Sequence, residues 1–407
     1  MNPCTPLATP ASTSIPSIAI IGAGISGLVA ARILQLNDIP VTIYESDKSP
    51  TSRFQGGTLD LHPESGQHAV KEAGLWDDFI REARPEGQDF LLMDKHTNIH
   101  LNKEADPHDF ERPEIDRGTL RDMFINSLKE GTILWGTRVN RIQPTMDGSQ
   151  RHTVIYNNDL EATFDLVIGA DGAWSKVRTL LSKDKPAYTN MMLFETRITD
   201  ADRRYPAIAK LVGRGSCFVA SNGLSLIGQR NSNGCIRIYP CFYVPEDEIN
   251  QFEFPDKDTG RNFLLKKFEG WDEKLRDMIR FCDDDFTPRP IYALPVPHTW
   301  ETKPGLTIIG DAAHLMSPFA GEGANLAMWD GCELALGIVN AIKNNTPILD
   351  VLQVFEKRMH AMCLDKAELS ASNLELYLRQ DSLDALKERW TLIFSGEYNP
   401  DSNHHSQ

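Results

Sequence analysis

Two strand–glycine–helix joints, one near the start and one late in the chain, flank a helix-poor run of closely spaced strands. Together they predict an α/β fold: a Rossmann-like domain interrupted by an inserted antiparallel-sheet domain and followed by C-terminal helices. At the first joint, Ser17-Ile18-Ala19-Ile20-Ile21 is a short apolar strand that runs into Gly22-Ala23-Gly24-Ile25-Ser26-Gly27. Leu28, Val29, Ile33 and Leu34 then repeat at helical spacing. Strand before and helix after give the Gly-x-Gly-x-x-Gly run its dinucleotide-binding context. Gly22 makes the tight turn, Gly24 lets a pyrophosphate approach the helix N-terminus, and Gly27 permits close helix–strand packing. The second strand, Val41 to Glu45, ends in an acid about twenty residues on, where a ribose hydroxyl would be held.

At the second joint, the strand Leu306 to Ile309 ends in Gly310-Asp311, and a small-residue loop leads through Gly321 and Gly323 into a helix at about Asn325. A helix N-terminus offers free N–H groups and the positive end of its dipole, and the Asp311 carboxylate can take sugar hydroxyls beside it. His314, close to Asp311, is better read as a packing residue of this loop than as a base.

The segments between follow in order. Phe54 to His62 is a Gly-rich bend and a short strand, and Asp116 is expected to cap a helix over Arg117 to Leu128. Arg117 and Arg121 fall one turn apart on that helix. Asp165 to Gly169 reads as a buried parallel strand, followed by a turn, Ala170-Asp171-Gly172, expected to open another helix. From about Tyr188, strands at Met191 to Ile198, Ser216 to Ala220, Leu224 to Arg230 and Cys235 to Tyr243 indicate an antiparallel sheet, closed by a helical stretch over Gly260 to Phe281. Thr346-Pro347 then caps a long helix carrying Leu352, Phe355 and Met359. The expected divisions are a disordered leader over 1–16, the nucleotide domain over 17–185 and 288–345, the inserted domain over 186–287, C-terminal helices over 346–396 and a disordered tail over 397–407.

Composition narrows the function. The 407 residues suffice for two full cores, and a net charge of −15 argues against nucleic acid or an anionic membrane as the main partner. The seven cysteines are scattered, with no C-x-x-C pair and no metal-ligand cluster, as expected of reduced thiols in a cytoplasmic protein. No secretory signal and no membrane-spanning run is read, and no nucleophile–His–Asp arrangement is found.

Taken in order, Gly22-x-Gly24-x-x-Gly27, Asp171-Gly172 and Gly310-Asp311 resemble the group A FAD-dependent monooxygenases, the aromatic hydroxylases built like p-hydroxybenzoate hydroxylase. Within that family, Arg53-Phe54-Gln55-Gly56-Gly57-Thr58-Leu59-Asp60-Leu61-His62, Pro113 to Arg117 and Gly310 to Gly323 are similar to the tetracycline-inactivating monooxygenases. The resemblance implies FAD as cofactor, NADPH as co-substrate and O2 as oxidant. One oxygen atom would pass through a flavin C4a-hydroperoxide to an aromatic or polyketide-like molecule, by a monomeric enzyme of secondary metabolism or xenobiotic modification. The flavin carries that chemistry, which fits the lack of a catalytic side-chain arrangement.

By the same resemblance, Glu45 holds the adenosine ribose, Arg117 contacts FAD, Asp60 lies at the flavin, and Arg53 touches NADPH. Asp171 helps to bind both nucleotides, and Asp311 holds the ribityl chain. The N–H groups near Gly323 and Ala324 face the N1–C2=O edge of the isoalloxazine, where reduced flavin carries negative charge. Pro318 and Phe319 shape the pocket wall. Two substrate positions depart from the tetracycline enzymes: Glu195 stands where they have glutamine and Cys217 where they have arginine, so tetracycline is not the expected substrate. A flavin reductase or dehydrogenase of related fold and a non-catalytic FAD-binding sensor are the alternatives. A halogenase is disfavoured by the lack of a Trp-x-Trp-x-Ile-Pro segment.

Overall fold

The computed structural model describes residues 15–52 and 55–397. Arg53, the leader up to residue 14 and the tail from residue 398 lie outside the described residues.

The apolar strand Ile18–Ile21 is the middle of a five-stranded, all-parallel sheet. Its order is Leu306–Ile308, Leu166–Gly169, Ile18–Ile21, Val41–Tyr44 and Ile133–Leu134. A central parallel strand is covered on both faces, which is why Ile18–Ile21 and Leu166–Gly169 are wholly apolar or glycine and buried throughout. Helix Ile25–Leu36 covers it, and the long helix Gly323–Asn344 packs against that helix. Gly331 makes this crossing close, since a Cβ there would stand 2.3 Å from the Ser26 carbonyl oxygen. A three-stranded antiparallel meander, Val139–Pro144, His152–Tyr156 and Leu160–Phe164, leads into the central strand Leu166–Gly169.

The second sheet has seven strands. Its order is Thr287–Ala293, Ala187–Ile198, Ile236–Tyr243, Leu224–Arg230, Ser216–Ser221, Phe90–Met93 and Ile99–Lys103. The four strands expected from alternation are all present. The sheet also recruits the hairpin Phe90–Lys103 from the span assigned to the first nucleotide segment, and Phe90–Met93 pairs parallel with Ser216–Val219. The sheet is therefore mixed. Such a parallel pairing joins segments far apart in sequence and leaves no local turn signal.

One face of this sheet packs on helices Pro206–Val212, Lys257–Lys267 and Glu273–Arg280, around Phe194, Phe268 and Met278. The single helical stretch expected over Gly260 to Phe281 is thus two helices. The other face meets helices Ile348–Leu378 and Ser382–Ser395 through Phe90, Leu374, Tyr377 and Leu386. The turn after Gly169 opens only a 3-10 turn, Arg178–Leu180. Among the described residues no helix is long and apolar enough to cross a membrane.

Candidate functional site

The first glycine loop is built by steric need. Gly22 sits at φ +104°, and a Cβ there would lie 2.3 Å from the Ala170 carbonyl oxygen. A Cβ on Gly27 would meet the Gly22 oxygen at 2.5 Å, whereas one on Gly24 would find only an ordinary contact at 3.8 Å. The loop is thus closed toward the sheet and open at Gly24, which is the N-cap of helix Ile25–Leu36 and brings no capping side chain. The first N–H groups of that helix remain available to an anion.

Glu45 is buried at the end of the second strand. One carboxylate oxygen accepts the Ala23 N–H at 2.8 Å, and the other accepts the Asp47 N–H at 2.8 Å. It therefore ties the glycine loop to the strand as well as standing where a ribose is expected. Arg121 is buried rather than solvated and donates to the carbonyls of Ala23 and Pro50 at 3.3 and 3.0 Å. Arg117, exposed, heads the same helix, and its N–H bonds the Gly57 carbonyl at 3.0 Å.

The second joint meets the first at Gly310. Its φ is +61°, and a Cβ there would strike Ser26 Oγ at 2.9 Å and the Ala327 Cβ at 3.3 Å, so the first turns of both long helices flank it. Its N–H donates to the buried Asp330 carboxylate at 2.7 Å. Asp311 follows, exposed, at the start of the short helix Asp311–His314. Gly323 and Ala324 begin helix Gly323–Asn344, with no side-chain cap and no acid in its first turn, and nothing lies within 4 Å of a Cβ built on Gly323.

Asp60 ends the short strand Thr58–Asp60, which pairs with Glu114–Asp116. Its carboxylate lies 2.9 Å from His62 Nε2. The buried Glu322 carboxylate is 3.7 Å from the other imidazole nitrogen of His62 and accepts from Lys366 Nζ at 2.7 Å. Asn325 fixes this strand to the helix: it donates to the Asp60 carbonyl at 2.8 Å and accepts the His62 N–H at 2.9 Å. Asp171 gives its carboxylate to its own turn, accepting from Ser175 Oγ and from the Lys176 N–H, and burial pushes its pKa up.

The seven-stranded sheet closes the other side. Glu195 is clamped between Arg237 at 3.3 Å and Arg289 at 2.9 Å. A cleft of about 230 Å³ runs from Ala23, Gly24 and Ile25 past Arg117 to Glu195 and Arg289. Phe319 is buried against Tyr377, with ring centroids 4.4 Å apart.

Cys217 is placed differently. In register, Cys217, Gly228, Ile238 and Thr196 share one face, which packs on the helices Pro206–Val212 and Glu273–Arg280; Phe218, Ile227, Tyr239 and Glu195 share the other. Cys217 is wholly buried in that helix-side core, where burial pushes its thiol up to about 12. The expected substrate contact is corrected accordingly: Cys217 faces the helices, and Phe218, one residue on, faces the opposite side, where its ring packs on Phe90 and Trp390, because strand faces alternate with period two.

The expected cap is also corrected. The Asp116 carboxylate leaves its own helix uncapped; it instead accepts the Ser232 N–H and Asn231 across to the second sheet, and pairs with Arg84, which bridges to Glu114. Sequence reasoning missed Gln229, whose side-chain oxygen accepts the Thr58 N–H at 3.2 Å, and Tyr239, whose hydroxyl stands 2.6 Å from where a Gly57 Cβ would be. No spacing signal could have found them, since their partners are far along the chain.

Glu114, half-buried under this strand, accepts from Thr58 Oγ1 at 2.6 Å. Burial and the Asp60 charge push its pKa up to about 8 from 4.5. The folded state therefore binds a proton that the unfolded chain releases across this window. This group's contribution to stability is present in full below pH 4.5 and is lost as pH rises through about 8. Glu114→Gln is expected to flatten that decline in a pH series of thermal unfolding; equal slopes for both proteins would contradict the assignment.

These features outline a cleft between a parallel α/β half and a mixed seven-stranded sheet. The sequence matches the FAD binding domain family over residues 16–232 and 299–358, well over half of the chain, and the protein belongs to that family. Among similar proteins is the monooxygenase asqM of Emericella nidulans, 28% identical over 90% of this chain and 96% of that one. Another is the monooxygenase penA of Penicillium thymicola, 27% identical over 79% and 84%. The fold is that of Klebsiella pneumoniae HpxO solved with FAD and uric acid, at a TM-score of 0.77 and 19% identity over 94% and 95% of the two chains. It is also that of the tetracycline destructase Tet(51), at 0.70 and 19% over 97% and 99%. The resemblance to FAD-dependent monooxygenases drawn from the motifs is borne out.

The residues present fit FAD. Two helix N-termini without side-chain caps are packed together at Gly310, and Gly24 and Gly323 leave room for a ligand to approach both backbones.

Proposed function

We propose that this protein is an FAD-dependent, NADPH-consuming monooxygenase that inserts one oxygen atom of O2 into an aromatic or polycyclic small molecule. The observation that carries the reading is the cleft itself, bounded by Ala23–Ile25 and Arg117 on the nucleotide side and by Glu195 and Arg289 on the sheet. Once bound and reduced, FAD supplies the activation of O2. The protein's residues do the rest.

In this reading the first turn of Ile25–Leu36 takes the pyrophosphate, Glu45 the adenosine ribose and Asp311 the ribityl chain. Arg117 reaches the cofactor from its helix, and Arg53 and Asp171 serve NADPH and the nucleotides. The amides of Gly323 and Ala324 stabilise negative charge on the reduced ring system. Asp60, with His62 behind it, orients a proton-carrying group at the edge of the flavin site. On the sheet side, Leu193, Tyr239, Ile291 and Phe319 belong to one partly buried apolar cluster, while Glu195 and Arg289 supply a polar end. An apolar wall with few fixed polar groups suits a flat, mostly hydrocarbon substrate with one or two anchoring heteroatoms. The monooxygenase names of the fungal relatives and the small-molecule ligands of the structural neighbours support the same class.

The test is a screen of aromatic and polyketide-like compounds for stimulation of NADPH oxidation in air, with product masses determined. A compound that accelerates NADPH consumption and gains one oxygen supports the reading. Turnover undiminished without O2, with another electron acceptor, would instead make the protein a reductase or dehydrogenase.

A further inference from the structure

Behind the Gly310–Asp311 turn, three side chains that the sequence keeps apart come together. His314 comes from helix Asp311–His314, Asp330 from Gly323–Asn344 and Cys363 from Ile348–Leu378. Each offers a donor atom within 4.8 Å of the other two, and all three residues are buried. No metal-ligand cluster was visible in the sequence because no two of these residues share a local spacing.

The hydrogen bonds fix which atoms are left over. His314 Nε2 lies 2.6 Å from an Asp330 carboxylate oxygen that also accepts the Gly310 N–H. A carboxylate only accepts, so Nε2 carries a proton, and His314 also makes a side-chain hydrogen bond with the Cys363 thiol. His360 is one helical turn before Cys363, on the same side of its helix, and its buried Nε2 lacks a hydrogen-bond partner. Both residues line, with His298 and His314, a small cleft of about 30 Å³. That is room for a single ion or water.

We propose that His314 and Cys363, with His360 beside them and Asp330 holding the far nitrogen of His314, form a binding site for one thiophilic divalent cation of the zinc class. Each part has a physical reason. A carboxylate on the distal nitrogen of a ligating histidine sets its tautomer and raises its basicity, which is what Asp330 does to His314. Zinc–sulfur and zinc–nitrogen bonds of about 2.3 and 2.0 Å place sulfur and nitrogen roughly 3.5 Å apart across a tetrahedral ion, within the span of this cluster. Sulfur and imidazole donors together select zinc or its analogues over magnesium and calcium. A hydrogen-bonded packing cluster alone leaves Asp330 Oδ1 and His360 Nε2 without a hydrogen-bond partner in the interior. Bound there, the ion would brace the turn that presents Asp311.

The experiment uses the FAD-loaded protein, stripped with a chelator and titrated with Co²⁺ as a spectroscopic stand-in for zinc. Expected are uptake of one ion per chain, ligand-field bands to the red of the flavin absorption, and a sulfur-to-cobalt charge-transfer band. Cys363→Ala is expected to remove the charge-transfer band, and both Cys363→Ala and His360→Ala to weaken uptake at least about tenfold, the lower range for loss of a ligating partner. Retained flavin absorbance shows that each variant is folded. The titration of the unaltered protein decides the matter even if a variant fails. No cobalt uptake, uptake without a thiolate band, or uptake unchanged in Cys363→Ala would each overturn the proposal.

Discussion

Gly27→Val is expected to yield protein without detectable FAD and with lower thermal stability. The added Cβ would lie 2.5 Å from the Gly22 oxygen, 3.0 Å from Ile20 Cγ2 and 3.1 Å from the Ala170 Cβ, and none of these is the movable end of a flexible side chain. The helix must therefore back away from the sheet. Overpacking of this kind costs about 1–3 kcal/mol, and at 407 residues each kcal/mol lowers the melting temperature by roughly 1 °C. Gly24→Ala provides the contrast. Its Cβ meets nothing nearer than 3.8 Å, so the fold should survive while FAD is still weakened, because the new methyl group occupies the approach to the helix N-terminus. Absorbance of bound flavin and thermal unfolding, measured on both variants, separate the two effects. Gly27→Val with full FAD and an unchanged melting temperature would refute the packing account.

Asp311→Ala is expected to leave the apoprotein's stability nearly unchanged and to weaken FAD binding strongly. Its carboxylate is exposed, so removing it uncovers no buried group, and such substitutions usually change stability by less than about 0.5 kcal/mol. Hydrogen bonds to a charged group contribute roughly 1.5–3 kcal/mol, which corresponds to about a 10- to 150-fold rise in Kd. Flavin fluorescence on dilution reads the release directly. Unchanged occupancy would remove Asp311 from the cofactor site.

The nucleotide half was legible because its requirements are local. Gly22, Gly24 and Gly27 are dictated by a strand-to-helix turn whose backbone approaches Ala170, and the apolar run Ile18–Ile21 can only be a buried parallel strand. The second sheet's strands were legible from alternation, but not its full membership or its sides. Phe90–Met93 joins through a parallel pairing with no turn to announce it. Cys217 was assigned to the wrong face, because a one-residue shift in register exchanges faces and register is set by the pairing with Leu224–Arg230. The partners that assemble the cleft were the least legible. Asn325 bonded to Asp60 and His62, Gln229 bonded to Thr58 and Asp116 bonded to Ser232 are contacts between distant segments, and polar residues of these types read locally as caps or turns.

The central claim is that this cleft holds FAD and uses it to place one atom of O2 into a small molecule. Its most direct test supplies isotopically heavy dioxygen to the FAD-loaded protein with NADPH and the compound that most stimulates NADPH oxidation. The product is then weighed by mass spectrometry. The account predicts a product carrying one heavy oxygen atom, at the expense of one NADPH. A product without heavy oxygen, or one formed equally well in the absence of dioxygen, would contradict it.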